Sequence, residues 1–124
     1  MSLRVLVIDP STPIRKAVAR TLLGAGYEMA TEAADGDEAV RLFALRPYDI
    51  VLADWNTRGR GGIDLIRALR DLDPEVPIVM ITAETTRKNV QAAIDAGVTD
   101  YLAKPFTHEN LLAKLARIAP LETR

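Results

Sequence analysis

Four polar side chains in this chain of 124 residues stand directly after short apolar runs. Val5-Leu6-Val7-Ile8 runs into Asp9, Ile50-Val51-Leu52-Ala53 into Asp54, Ile78-Val79-Met80-Ile81 into Thr82, and the weaker Tyr101-Leu102-Ala103 into Lys104. A carboxylate can act as a nucleophile or as a ligand for a hard cation, an ammonium can meet an anion, and a hydroxyl can donate a hydrogen bond. Apolar runs without alternation mark strands buried on both faces. If the four strands lie parallel in one sheet, two acids, a hydroxyl and an ammonium converge on its carboxyl rim, where open α/β sheets bind ligands. A single Asp after a strand is more often a turn residue or a helix cap. Recurrence at four strand ends is what points to a site.

The elements that must position these groups alternate strand and helix five times. Leu3 to Ile8 reads as the first strand, and Ser11-Thr12-Pro13 as a helix start with a capping hydroxyl and a first-turn proline. That helix presents Ile14, Val18 and Leu22 inward and ends at Gly24 and Gly26; Tyr27 to Ala33 follows as an edge strand, polar through Glu28, Thr31 and Glu32. Asp35-Gly36-Asp37-Glu38 sets acids at the positive end of a second helix, with Val40, Phe43 and Ala44 inward, which stops before Pro47. After the Asp54 strand, a third helix turns Leu65, Ile66, Leu69 and Leu72 inward. A fourth, from about Thr86 to Ala96, uses Val90, Ala93 and Ile94 and is capped by Gly97. Thr107 opens a last helix with Leu111, Leu112, Leu115 and Ile118 inward. Such alternation predicts parallel strands joined by right-handed crossovers, an α/β fold.

Composition narrows the function classes. With 16 basic and 17 acidic residues, a net charge of −1 and no run of either sign, no broad attraction to nucleic acid or to a membrane surface is expected. Cysteine is absent, which removes disulfides, thiolate metal sites and thiol nucleophiles. No apolar run approaches the roughly 18 residues needed to cross a bilayer, so a cytoplasmic protein is expected. Gly59, Gly61 and Gly62 lack the strand-to-helix context of a nucleotide loop, and His108, the single histidine, is placed in the solvated first turn of the last helix.

Val7-Ile8-Asp9 with Ser11 and Arg15, Asp54-Trp55-Asn56 with Gly62, Thr82-Ala83-Glu84, and Asp100-Tyr101-Leu102-Ala103-Lys104-Pro105-Phe106 together resemble the receiver domains of two-component response regulators, of the chemotaxis-regulator kind. The resemblance covers nearly the whole chain and implies one receiver domain over residues 1–124, free-standing or excised from the N-terminus of a longer regulator. It implies a doubly wound, flavodoxin-like (βα)5 fold with a five-stranded parallel sheet ordered 2-1-3-4-5.

By the same resemblance, Asp54 is the phosphoacceptor, serviced by Thr82 and Lys104, and Thr82 and Tyr101 are the switch pair. Mg2+ is expected on Asp9, Asp54 and the main-chain carbonyl of Asn56. The donor is expected to be a histidine kinase or histidine phosphotransfer protein, and the recipient of the signal an output protein or domain. The Lys104–Pro105 bond is expected to be cis. The surface from the Thr86 helix through Asp100–Ala103 to the last helix would carry the signal, with Arg87, Lys88, Asp95, Asp100 and Arg117 able to pair weakly across a homodimer. Two departures from the family pattern stand out: Pro10 replaces the second acid of the usual pair after the first strand, and Thr57-Arg58 replaces Met-Pro after the phosphoacceptor. Weak Mg2+ binding is therefore expected, and a degenerate receiver serving as an unphosphorylated interaction module is the alternative. A phosphohydrolase is disfavoured because Asn56 stands where such enzymes place their general acid, so the domain is read as a signalling phosphoacceptor and not an enzyme.

Overall fold

The computed structural model describes residues 3–56 and 61–118, apart from the side chain of Met29. Thr57, Arg58 and Gly59, named above, lie outside the described residues. The elements follow one another as β1 (Arg4–Ile8), α1 (Thr12–Gly24), β2 (Met29–Ala33), α2 (Gly36–Leu45), β3 (Ile50–Asp54), α3 (Gly62–Leu72), β4 (Ile78–Thr82), α4 (Arg87–Ala96), β5 (Asp100–Ala103) and α5 (His108–Ile118). The sheet is wholly parallel in the order β2-β1-β3-β4-β5, as the resemblance implies.

Every residue of β3 and β4 is buried, which explains their unbroken apolar sequence. Alternate side chains serve opposite faces. Leu6, Ile8, Val51, Ala53, Ile78 and Met80 pack with Ala39 and Phe43 of α2, Leu65, Ile66 and Leu69 of α3, and Ala93 of α4. Val5, Val7, Ile50, Leu52, Val79 and Ile81 pack with Val18 and Leu22 of α1 and Leu111 and Leu115 of α5. The result is a three-layer sandwich in which helices cover both faces of the sheet and polar groups are left to its ends. No helix among the described residues is long and apolar enough to cross a membrane.

Four helix starts are set by side chains: Ser11, Asp35, Thr86 and Thr107 accept hydrogen bonds from the N–H groups of Ile14, Glu38, Asn89 and Asn110. Gly97 closes α4 at φ +119, a conformation that favours glycine.

Several boundaries and faces differ from the expectation. β2 begins at Met29, not Tyr27, because the Tyr27 N–H still bonds the Leu22 carbonyl in the C-terminal turn of α1. Gly24 is the last residue of α1, capped by Ala25, and Gly26 lies beyond it at φ +108. In α2 the inward alanine is Ala39; Ala44 is exposed. Ile14 (37% exposed), Leu72 (48%) and Ile94 (50%) are not core residues. Ile14 sits in the first turn of α1 and Leu72 is the last residue of α3, where the helices reach past the sheet. Ile94 lies about 100° round the helix from Ala93, which takes the inward position.

Candidate functional site

Register brings the four strand-end residues together. Ile8 pairs with Ala53, Asp54 with Ile81, and Thr82 with Ala103, so Asp9 and Lys104 each lie one residue past the ladder beside the Asp54 and Thr82 ends. Backbone bonds continue the alignment beyond the strands: Asp9 N–H to the Ala33 carbonyl (3.1 Å), Trp55 N–H to Ile81 (2.9 Å) and Lys104 N–H to Thr82 (2.9 Å). Asp9 (3% exposed), Asp54 (6%) and Thr82 (1%) are the buried polar residues among those described, and all three belong to this rim. Burying such groups is costly unless they are partnered, which itself sets the site apart.

For the two acids the partner is Lys104. Its ammonium donates to Asp9 Oδ2 at 3.1 Å and to Asp54 Oδ2, and so lies between the two carboxylates. Asp54 Oδ1 accepts the N–H of Asn56 at 2.8 Å, which folds the loop after β3 back over the acid. Asp9 Oδ1 accepts the Ser11 N–H at 2.8 Å. Pro10, between them, is exposed and offers neither an N–H nor a side-chain oxygen. Thr82 Oγ1 accepts the Glu84 N–H at 2.9 Å, and the Glu84 carboxylate accepts from the Asn89 amide, tying the loop after β4 to α4. At the front of α3, Gly62 takes φ +53, and a Cβ there would touch the Trp55 ring at ordinary contact distance, 3.6 Å. The backbone conformation, and not the indole, is what disfavours a side chain at this position.

Charge follows from this packing. Burial raises the Asp9 carboxyl above its ordinary 3.8; the Ser11 N–H and Lys104 work against that, and the Asp54 charge works with it. For Lys104, burial pulls the ammonium down, but its hydrogen bonds and charge contacts with Asp54 and Asp9 outweigh burial and leave it above 10.5. The cluster is thus two carboxylates around one firmly held ammonium.

The structure joins Asp9, Asp54 and Lys104 in direct contact, sets Thr82 on the neighbouring strand, and keeps Tyr101 apart. Tyr101 is half-buried at the β5 edge, packed against the α2–α4 face of the core. The Lys104–Pro105 bond is cis. His108 is exposed in the first turn of α5, as expected, with Nδ1 against Thr21 Oγ1. Arg15 carries a part that its sequence position does not disclose. Nη1 donates to the Asp9 carbonyl at 2.6 Å, Nη2 donates to Thr12 Oγ1, and Nε meets Glu32, which Lys16 also engages. Arg15 is among the residues that carry the resemblance, with no role attached to it. Beside the rim, a groove of about 650 Å3 lined by Ile14, Val18, Phe106 and Leu111 runs between α1 and the β5–α5 connection as far as Lys104.

A parallel sheet ordered 2-1-3-4-5, with an acid–lysine–acid cluster at its rim, defines a doubly wound α/β domain with a polar site at the carboxyl ends of its strands. Residues 5–116 match the response regulator receiver domain family, and the chain belongs to it. It is 37% identical over 120 residues to the chemotaxis protein CheY-3 of Vibrio cholerae, covering 94% of this chain and 92% of that protein. It is 35% identical to the phosphate regulon transcriptional regulatory protein PhoB of Pseudomonas aeruginosa, covering 92% of this chain but 50% of that protein. The solved structure of Vibrio cholerae CheY4 superposes with a TM-score of 0.90 at 36% identity, over 95% of this chain and 99% of that one. Receiver domains are the phosphoacceptors of two-component signalling; they generally bind Mg2+ at an acidic pocket and interact with histidine kinases and output domains.

Proposed function

We propose that Asp54 takes a phosphoryl group from the phosphohistidine of a histidine kinase or histidine phosphotransfer protein and that Thr82 and Tyr101 convert the event into a change of surface. The observation that carries the proposal is the Lys104 ammonium held between two buried strand-end carboxylates. An Asp54 carboxylate oxygen attacks phosphorus, the P–N bond breaks, and the departing imidazole keeps the electron pair and takes up a proton, leaving an acyl phosphate. Lys104 already contacts the acceptor and moves to a phosphoryl oxygen. The Asn56 N–H holds the loop against Asp54, and the Thr82 hydroxyl leaves the Glu84 backbone to donate to another phosphoryl oxygen. Tyr101 then repacks, biasing the face formed by α4, β5 and α5 toward an output protein or domain. The groove beside Lys104 offers the donor an apolar approach. We read residues 1–124 as one receiver domain working in the cytoplasm. Self-association through the α4–β5–α5 face would be modest and salt-sensitive, since exposed charge pairs contribute little. The direct assay follows label from a kinase phosphohistidine into this chain and reduces the product with borohydride to locate the acyl phosphate. Label found elsewhere than position 54, or retained on histidine, would refute the assignment.

The donors present suit Mg2+, with one acid fewer than usual. Asp9, Asp54 and the Asn56 carbonyl are hard oxygen ligands, and they would hold the ion. When bound, Mg2+ neutralises phosphoryl oxygens that Lys104 alone leaves charged. Among the described residues no group of three or more acids, histidines or cysteines gathers at metal-binding spacing. Counting Asp9 and Asp54 against Lys104 leaves a local charge of about −1, where a second acid at position 10 would give about −2. Pro10→Asp is therefore expected to lower the Mg2+ midpoint by about tenfold, equivalent to about 1.4 kcal/mol. Quenching of Trp55, next to Asp54, reads the titration. Equal midpoints for the two proteins would show that position 10 does not face the ion.

The second reading, an unphosphorylated interaction module, draws on Pro10 and on Asp9 itself. Ser11, Lys104 and Arg15 engage its two carboxylate oxygens and its carbonyl. A metal arriving there would compete with Lys104 for Asp9.

A further inference from the structure

Lys114 is absent from the chemistry above, yet it stands against one of its two switch residues. From α5 its ammonium lies 5.7 Å from the centroid of the Tyr101 ring, within cation–π range. The same ammonium donates to Asp100 Oδ2 at 3.2 Å, while Asp100 Oδ1 accepts the N–H of Tyr101 at 2.7 Å. One carboxylate therefore grips both the backbone of Tyr101 and the cation over its ring. Neither charge is loosely solvated, with side chains 20% and 23% exposed. The Tyr101 side chain also packs against the core cluster that contains Ala93 of α4 and Met80 of β4.

We propose that Lys114, anchored by Asp100, is a positioning residue that holds Tyr101 in its unphosphorylated placement and so sets how much of the signal Asp54 must supply. The inference deepens the switch reading given above and rests on it. A cation fixed over a ring is worth a factor of about two to five in the equilibrium between ring positions. A contact made only in the resting arrangement adds that factor to the cost of leaving it, and removing the contact returns the same factor to any ligand that favours the other arrangement. Asp100 adds geometry, because it fixes the cation to the residue that bears the ring, so a shift of β5 alone does not part them. Movement of the side chain does. Asp100 is one of the five charged residues on this face expected to be able to pair across a dimer, whereas it is engaged by Lys114 within the chain.

Lys114→Met keeps the length of the stem and removes the charge, and Lys114→Arg restores a cation. Two readouts separate the ring from the site. Fluorine NMR of 3-fluorotyrosine-labelled protein, with the Tyr101 resonance assigned by Tyr101→Phe, reports the ring; Trp55 fluorescence reports beryllofluoride occupancy beside Asp54. In the free protein, Lys114→Met should move or broaden the Tyr101 resonance and leave those of Tyr27 and Tyr48 in place. It should also lower the beryllofluoride midpoint by about two- to fivefold. Lys114→Arg should return both to wild-type values. A Tyr101 resonance that coincides in wild type and Lys114→Met, or a midpoint that is unchanged or weaker in that variant, overturns the inference alone. Absence of any Trp55 response in wild type brings down the switch reading and this inference with it.

Discussion

Lys104→Met is expected to slow phosphoryl transfer to Asp54 by on the order of 100-fold, the loss seen when one preorganised charge stabiliser is removed from a site. It should also make stability depend on pH in an unusual direction. The variant keeps the stem but leaves Asp9 and Asp54, 3% and 6% exposed, without the ammonium between them. Breaking a fully buried pair costs about 3–5 kcal/mol, whereas partial exposure of Lys104 and the option of protonating one acid bring the expected loss nearer 2 kcal/mol at pH 7. Burial already raises the Asp9 carboxyl, and without Lys104 it rises further. A carboxyl whose folded pKa exceeds its unfolded value binds more protons when folded. Stability therefore falls as pH rises through the window between the two values, and the penalty is relieved as pH drops toward 3.8. Melting curves should show the gap to wild type narrowing on acidification from neutral pH. A gap that widens on acidification would mean that the two acids do not share Lys104 as described.

The second large effect lies at the opposite end of the sheet. Arg70, in the last turn of α3, donates from Nε to the Gly97 carbonyl (2.9 Å) and from Nη1 to the carbonyls of Asp73 (3.2 Å) and Val76 (2.6 Å). Its Nη2 reaches Thr99 Oγ1, which also accepts the N–H of Ile78. One guanidinium thus joins the end of α3, the approach to β4, the cap of α4 and the approach to β5. Burial pulls the Arg70 guanidinium below its ordinary value, opposed by Asp73 and Glu75. Arg70→Met strands three carbonyls, each worth about 1 kcal/mol or more, so a loss of about 3 kcal/mol is expected. For a domain of this size that is a fall in melting temperature of about 10 °C. Lysine should rescue little of it, because an ammonium on a single stem cannot span the fork. Full stability in Arg70→Lys would show that charge near the helix ends, and not the guanidinium geometry, holds the junction.

The strands and the site were legible for one reason: β1, β3 and β4 are covered on both faces, so each reads as an apolar run whose first polar residue falls at the rim. That logic located Asp9, Asp54 and Thr82; Lys104 follows the weaker run of β5, which is only partly buried, and stands out through its recurrence with the other three and through the resemblance. It failed where burial is one-sided or local. Tyr27 looks like strand because it is apolar and β-prone, yet the end of α1 claims its N–H. Ile94 fits a helical stripe by spacing, but a residue one step from Ala93 can fall on either side of the boundary, and only packing decides. Arg70 was invisible for a different reason. A basic residue in a helix's last turn is ordinary in sequence, and the carbonyls that receive it come from two separate connections, α3–β4 and α4–β5, the farthest 27 residues on. Long-range capture of one cation by backbone oxygens leaves no periodic trace.

Whether Asp54 accepts a phosphoryl group, despite Pro10, is decided by intact mass after incubation with phosphoramidate or acetyl phosphate across a range of Mg2+ concentrations. Wild type should gain the mass of one phosphoryl group, more completely as Mg2+ rises, and lose it to hydroxylamine as an acyl phosphate does; Asp54→Asn should gain nothing. An unchanged wild-type mass even at saturating Mg2+, or an equal gain in Asp54→Asn, would contradict the assignment and leave the fold as an unphosphorylated interaction module.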